Sequence, residues 1–349
     1  MLNRVLGALV LCWAGMAQAQ PAAIPLVDTH MHFESVPQMN FHASLAIAIK
    51  EMNRRNIRMS LLMSPPRASF YASINHDIED LLFAAQAHPD RFAVLGGGGS
   101  LTIMINETRP EAVDEAMRQK FRQRAERIIA LGGVGFGEMF IQHLSLPAMG
   151  PGHAYSSVPA DHPLLLLLAD IAAEHDVPID MHFDMVPQDM PLPPILKSPP
   201  NPAQLQANRA AFERLLAHNR KARIVWSHVG FEPINTRNPQ VVTEMLQAHP
   251  NLYMSFRLNR GGPRNTMALE PSGQLRGGWL ALVQAFPDRF MLGSDAFYAP
   301  TGISRGSSAE GMDNLRGLIE QLPPELALQV ASENARRLYK LKPGQPAAN

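Results

Sequence analysis

The segment Asp28-Thr-His30-Met-His32 sets two imidazoles two residues apart, and on an extended strand that spacing turns both to the same side. Two such rings can grip one metal ion, although an H-x-H pattern alone arises often by chance. Other positions give it company. Glu138 interrupts the apolar run Gly135-Phe-Gly-Glu138-Met-Phe140, where a carboxylate without a partner is expensive. His182 closes Pro178-Ile-Asp-Met-His182, His228 closes Ile224-Val-Trp-Ser-His228, and Asp295 closes Phe290-Met-Leu-Gly-Ser-Asp295. Taken singly, the histidines read as satisfied core residues and Asp295 as the cap of a following helix. Together, that account must repeat itself at every position, whereas one divalent centre explains them all. Imidazole and carboxylate donors suit zinc first and manganese second, as one ion or two.

To meet at one point these residues need a scaffold that gathers distant strand ends. Short apolar runs alternate with amphipathic stretches, the signature of repeated βα units. The strand candidates are Ile24 to Thr29, Arg58 to Met63, Arg91 to Leu95, Val134 to Phe140, Pro178 to Phe183, Arg223 to Ser227, Asn251 to Ser255 and Arg289 to Ser294. Several are introduced alike, by a helix end, a proline and a turn, as in His88-Pro-Asp-Arg-Phe92 and Phe286-Pro-Asp-Arg-Phe290. The pattern predicts an α/β fold, a (β/α)8 TIM barrel, with the metal-type residues at the C-terminal ends of strands one, four, five, six and eight. A doubly wound open sheet is the competing architecture. Pro187 to Pro202 and Arg257 to Gly278 follow strand ends and are expected as lids or pocket walls. The run Leu164 to Leu168 is followed by Asp170 and Glu174 and reads as buried helix.

The 349 residues are 46% hydrophobic and 18% charged, enough to bury a sizeable core and too apolar for disorder. Lys plus Arg total 31 against 31 Asp plus Glu, with no dense basic run, so nucleic-acid binding is disfavoured. Arg4, the apolar stretch Val5 to Met16 and then Ala17-Gln18-Ala19 read as a signal peptide over residues 1–19. The stretch is shorter than the about 20 residues that span a bilayer. A periplasmic or secreted barrel domain over residues 20–349 is therefore expected, with no membrane attachment after cleavage. Its partner is expected to be a small-molecule substrate, and self-association into a homo-oligomer stays open. The sole cysteine, Cys12, lies in the leader, so thiolate ligands, disulfides and a Cys nucleophile are excluded from the mature chain.

With these motifs in place, the sequence resembles the amidohydrolase superfamily, and within it the amidohydrolase-related branch of metal-dependent hydrolases and decarboxylases. Asp28-x-His30-x-His32 matches the family's first-strand motif, His182 and His228 its fifth- and sixth-strand histidines, and Gly293-Ser-Asp295 its eighth-strand aspartate. Glu333-Asn334-Ala335-Arg336-Arg337-Leu338 is similar to the branch's C-terminal signature. The resemblance implies a distorted (β/α)8 barrel in which His30, His32 and Asp295 hold one metal. His182 completes that site if there is a single ion. If Glu138 bridges two ions, as in TatD-like relatives, His182 and His228 bind the second; otherwise Glu138 stands behind the ligands. The family's carbamylated lysine has no counterpart, because the fourth strand offers Glu138 and no Lys.

The activity implied is cleavage of an ester, lactone or amide by water whose pKa a metal has lowered. Asp295 would shuttle the proton, and His228, if not a ligand, would hydrogen-bond the developing oxyanion. Non-oxidative decarboxylation is the alternative within the branch, and a barrel that binds a periplasmic ligand without catalysis is the alternative outside it. Arg67 after the second strand, and Arg257 and Arg260 after the seventh, suit a substrate carboxylate or phosphate, or are surface residues. Gly96 to Gly99 offers either a phosphate cradle or a tight turn. His42, His143, His153 and His162 are expected near the mouth, and Asp28 is expected to share the face of His30 and support a ligand imidazole.

Overall fold

The computed structural model describes residues 24–34, 39–70, 74–146, 153, 155–258, 265–304 and 306–342; residues 1–19, expected as a signal peptide, and Arg260 lie outside them. The frame consists of β1 (Leu26–Phe33), β2 (Ile57–Leu62), β3 (Phe92–Val94), β4 (Phe136–His143), β5 (Pro178–Phe183), β6 (Arg223–Val229), β7 (Leu252–Phe256) and β8 (Phe290–Leu292). All pair in parallel: β1 with β2, β2 with β3, then β4 through β8 in order, and β8 with β1 at Asp28 and Leu292. The remaining join is made by Gly96–Gly97, separated from β3 by Leu95 and paired with β4. The ladder thus returns to its start as a (β/α)8 barrel, and the open-sheet alternative falls.

Two apolar clusters show why the ring holds. The larger lies between strands and helices. In the helix Phe41–Arg54, for example, Phe41, Leu45, Ala48 and Met52 are buried at helical spacing. The smaller gathers Val27 of β1, Met59 and Leu61 of β2 and Met291 of β8 with Val225 of β6, a strand that pairs with none of those three. Leu338, Tyr339 and Leu341 plug it from below. Asn334, in the C-terminal signature, donates from Nδ2 to the carbonyls of Pro287 and Phe290 at 2.8 Å each, tying that plug under β8.

Three strands run further than their apolar runs suggest. β1 continues past Thr29 to Phe33, β4 past Phe140 to His143, and β6 past Ser227 to Val229. Polar residues that look like strand ends satisfy one another inside the ring, so the backbone keeps its ladder: Met31, His32 and Phe33 pair with Ala296, Phe297 and Tyr298.

The proline-rich stretch forms a short hairpin, Met190–Pro191 against Gln204–Leu205, whose Leu196 and Leu205 pack with Leu144, Val186 and Ile234. Buried Leu258, Met267, Ala268 and Leu269 anchor the described part of the segment after β7. Leu164 to Leu168 lies in the buried helix Pro163–Glu174, and no helix among the described residues is long and apolar enough to cross a membrane.

Candidate metal centre

The barrel brings His30, His32, Glu138, His182, His228 and Asp295 to one point. Their ligand atoms fall into two sets that share Glu138: one with His30, His32 and Asp295, the other with His182 and His228. Glu138 Oε2 lies 3.3 Å from His30 Nε2 and 3.4 Å from His32 Nε2. Its Oε1 lies 3.1 Å from both His182 Nδ1 and His228 Nε2. Asp295 Oδ1 stands 3.2 Å from His32 Nε2, and the two Nε2 atoms of His30 and His32 are 3.1 Å apart. Donors about 2.0–2.1 Å from a tetrahedral ion are about 3.3–3.4 Å from each other, so the cluster is spaced as ligands of a cation are.

The other ring nitrogens sharpen the fit. His32 Nδ1 lies 3.0 Å from the Met63 carbonyl, which can only accept, so Nδ1 carries the proton and Nε2 presents a lone pair. His30 Nδ1 lies 3.1 Å from Asp180 Oδ1, which places its lone pair on Nε2 as well. Lone pairs facing each other at 3.1 Å, ringed by carboxylates, are mutually repulsive unless positive charge sits between them. Carboxylate-to-imidazole pairing of this kind is how metal-binding histidines are oriented.

The electrostatics agree. Burial would push His30 down, but Asp180 and Glu138 outweigh it and hold the ring well above the usual imidazole range. Burial likewise lowers His182, yet Asp184 and Glu138 bring it up to about 9. Glu138 stays well below the usual carboxylate range because His30, His182 and His228 overcome its desolvation. Without an ion, protons on imidazoles supply the positive charge the carboxylates demand. A cation would displace them, as expected of ligands that bind deprotonated. His228 differs: desolvation dominates and pushes it down to about 3, leaving a neutral ring.

Backbone conformation marks the same place. His228 and Asp295 adopt positive φ, 65° and 51°, a region that L-residues enter at a cost of about 1–3 kcal/mol. Such strain gathers at functional sites, where surrounding structure over-determines it.

A cavity of about 400 Å³ opens over the cluster, walled by Phe140, Phe231, Phe297, Leu144 and Pro65. Arg67, His143 and His153 line it, as expected. Arg257 lines it too, but its Nη1 lies 3.0 Å from Asp295 Oδ2, so its charge is spent on the site's own carboxylate. Burial would raise Asp295, and Arg257 together with His32 holds it well below the usual range.

Several expectations are corrected. Asp28 does not support the His30 ring. The β1–β2 register shifts between Asp28 and Met31, and the Asp28 carboxylate accepts from the backbone N–H groups of Ser294 and His30 and from the Ser294 hydroxyl. Gly96 to Gly99 takes the expected tight turn in place of the phosphate cradle: the Gly97 N–H donates to Asp77 Oδ1, and a Cβ on Gly99 would lie 1.9 Å from the His76 carbonyl. His42 packs on Phe83, and His162 caps the helix Pro163–Glu174 while reaching the Thr108 carbonyl.

Asp180 and Asp184 were missed, although alternation along Asp180-Met-His182-Phe-Asp184 was the signal for both. Asp180 backs His30, and Asp184 Oδ2 lies 3.5 Å from His182 Nε2. Asp180→Ala is expected to weaken metal binding about 10–100-fold. Competition with a chromophoric chelator measures this; unchanged affinity would remove Asp180 from the account.

A family model described as Amidohydrolase (Amidohydro_2) matches residues 27–341, and the chain belongs to this family of enzymes. Among solved structures, a probable 2-pyrone-4,6-dicarboxylic acid hydrolase from Acinetobacter baumannii with citric acid bound is similar at 13% identity and TM-score 0.51, over 90% of this chain and 99% of that one. The 5-carboxyvanillate decarboxylase from Sphingomonas paucimobilis is similar at 13% identity and TM-score 0.50, over 91% of this chain and 100% of that one. At these identities the superpositions show a shared fold and no more. No curated protein matches the chain by sequence.

Proposed function

We propose that the chain is a metal-dependent hydrolase that uses water to cleave an ester, lactone or amide bond in a small molecule. The observation that carries this reading is Glu138, whose two oxygens face two separate imidazole sets at 3.1–3.4 Å. A carboxylate shared in that way suits two neighbouring cations, zinc being the ion these donors fit best. His30, His32, Glu138 and Asp295 would hold one, and Glu138, His182 and His228 the other. A divalent ion supplies polarisation of the scissile carbonyl and lowers the pKa of water toward about 7.

The chain's own groups do the rest. Asp295 Oδ1 points to His32 and Oδ2 to Arg257, and this carboxylate, beside the cation positions, would receive a proton from water and return it to the leaving oxygen or nitrogen. Phe140, Phe231 and Phe297 give the substrate an apolar wall and limit bulk water, and Arg67 offers a guanidinium beside them. His182 and His228, tied to Glu138, keep that carboxylate facing both sets.

The two structural neighbours are named for a hydrolase and a decarboxylase, so the experiment must separate these outcomes. A panel of esters, lactones and amides, followed by acid release, is run beside hydroxybenzoates followed by CO2 release. The proposal expects acid release that depends on added metal. CO2 without acid release from any panel member would replace it with the lyase reading.

A further inference from the structure

Of the imidazoles in the cluster, His30, His32 and His182 each turn the second ring nitrogen toward an oxygen, Asp180 Oδ1 at 3.1 Å, the Met63 carbonyl at 3.0 Å and Asp184 Oδ2 at 3.5 Å. His228 does not. Among the described residues its Nδ1 has no hydrogen-bond partner, although the ring is buried. Apart from edge contacts with the His30 and His182 rings at 4.8 and 4.9 Å, its aim at Glu138 is set through the backbone, and that backbone is the strained one, with φ at 65°.

The sheet does not hold it there. Pairing of β6 with β5 ends at Trp226, and pairing with β7 skips from Trp226 to Val229, so Ser227 and His228 lie in an irregularity of the ladder. Into this gap comes Arg237. Its Nη1 donates to the Ser227 carbonyl at 2.7 Å, and its Nη2 donates to the carbonyls of His228 at 2.8 Å and Phe231 at 3.2 Å. Arg237 is 3% exposed, and its guanidinium carbon lies 5.0 Å from the centre of the Trp226 ring. Glu232, which faces it electrostatically, is itself occupied by the N–H groups of Ile234, Thr236 and Arg237.

A buried charge is costly, and this one is spent on three carbonyls that bracket a single histidine. We propose that Arg237 is a positioning residue for metal binding: its fork fixes the left-handed turn at His228 and so points Nε2 at the second cation position beside Glu138. This rests on the metal reading above. Lysine, with one ammonium in place of a planar fork, can satisfy only part of the geometry.

The test compares wild type, Arg237→Met, Arg237→Lys and His228→Ala by zinc titration of metal-free protein against a chromophoric chelator, with thermal melts of each metal-free form. Arg237→Met is expected to weaken one ion about 10–100-fold, the ion that His228→Ala weakens, and to spare the other. Arg237→Lys is expected to fall between, and it carries the test if the methionine variant does not fold. Unchanged affinity for both ions, or equal loss of both, overturns the proposal. A crystal structure of the metal-free variant adds a readout independent of binding. His228 leaving positive φ supports the assignment, and His228 keeping it overturns it. Wild type that binds no ion ends the metal reading and with it the role of Arg237 in metal binding, while that crystal structure still decides whether Arg237 fixes the turn at His228.

Discussion

Asp295→Asn is expected to fold, to keep a bound ion and to lose turnover by about 10²- to 10⁴-fold, the usual contribution of a positioned proton carrier. The loss follows from the two oxygens having two tasks. Oδ1 stands 3.2 Å from His32 Nε2 among the ligand atoms, and Oδ2 stands 3.0 Å from Arg257 Nη1. An amide has one oxygen and one NH2. Turned with its oxygen toward Arg257, it directs hydrogens at the cation position; turned the other way, it sets them against the guanidinium. Neither orientation offers a site for a proton. The measurement is kcat on whichever panel substrate is turned over, with metal content determined on the same sample. Near wild-type turnover with the ion present would assign the proton to another group.

The second large effect concerns the ion itself. His30→Ala with His32→Ala removes two of the four donors of one set while sparing Glu138, which both sets use. An ion at a thousand times its Kd stabilises the folded chain by about 4 kcal/mol. Wild-type protein is therefore expected to melt at a clearly higher temperature with zinc than with chelator. In the double variant the share of that difference due to the ion of this set is expected to vanish, while the share contributed through His182, His228 and Glu138 remains. Paired thermal melts check this. A double variant with the full metal-dependent shift would show that His30 and His32 are not ligands.

Much of this site is legible in the sequence because its signals are local. A histidine or carboxylate ending or interrupting an apolar run is conspicuous, and eight such runs spaced by helices predict where the ends converge. His30, His32, Glu138, His182, His228 and Asp295 all have that signature, and the structure brings them within one cluster. What is not legible is pairing over long separations. Arg257 has the position of a substrate anchor, but its partner Asp295 lies just beyond the next strand, where no local pattern points to it. Arg237 lies beyond the end of β6 and looks like an ordinary loop cation; only the ladder irregularity at Ser227 and His228 gives it carbonyls to hold.

Asp28 shows the opposite failure. Alternation assigns it to the face of His30, and a register shift that alternation does not encode turns it to Ser294 instead. Asp180 did carry its signal, two residues before His182 on β5, and its distance of 3.1 Å to His30 shows that alternation serves well where the strand is regular.

The most direct test is anomalous diffraction at the zinc edge from a crystal grown with zinc. The account predicts a peak about 2.0–2.2 Å from both His30 Nε2 and His32 Nε2, and a neighbouring one between Glu138, His182 and His228. A zinc-containing crystal with no anomalous density inside this cluster would contradict it.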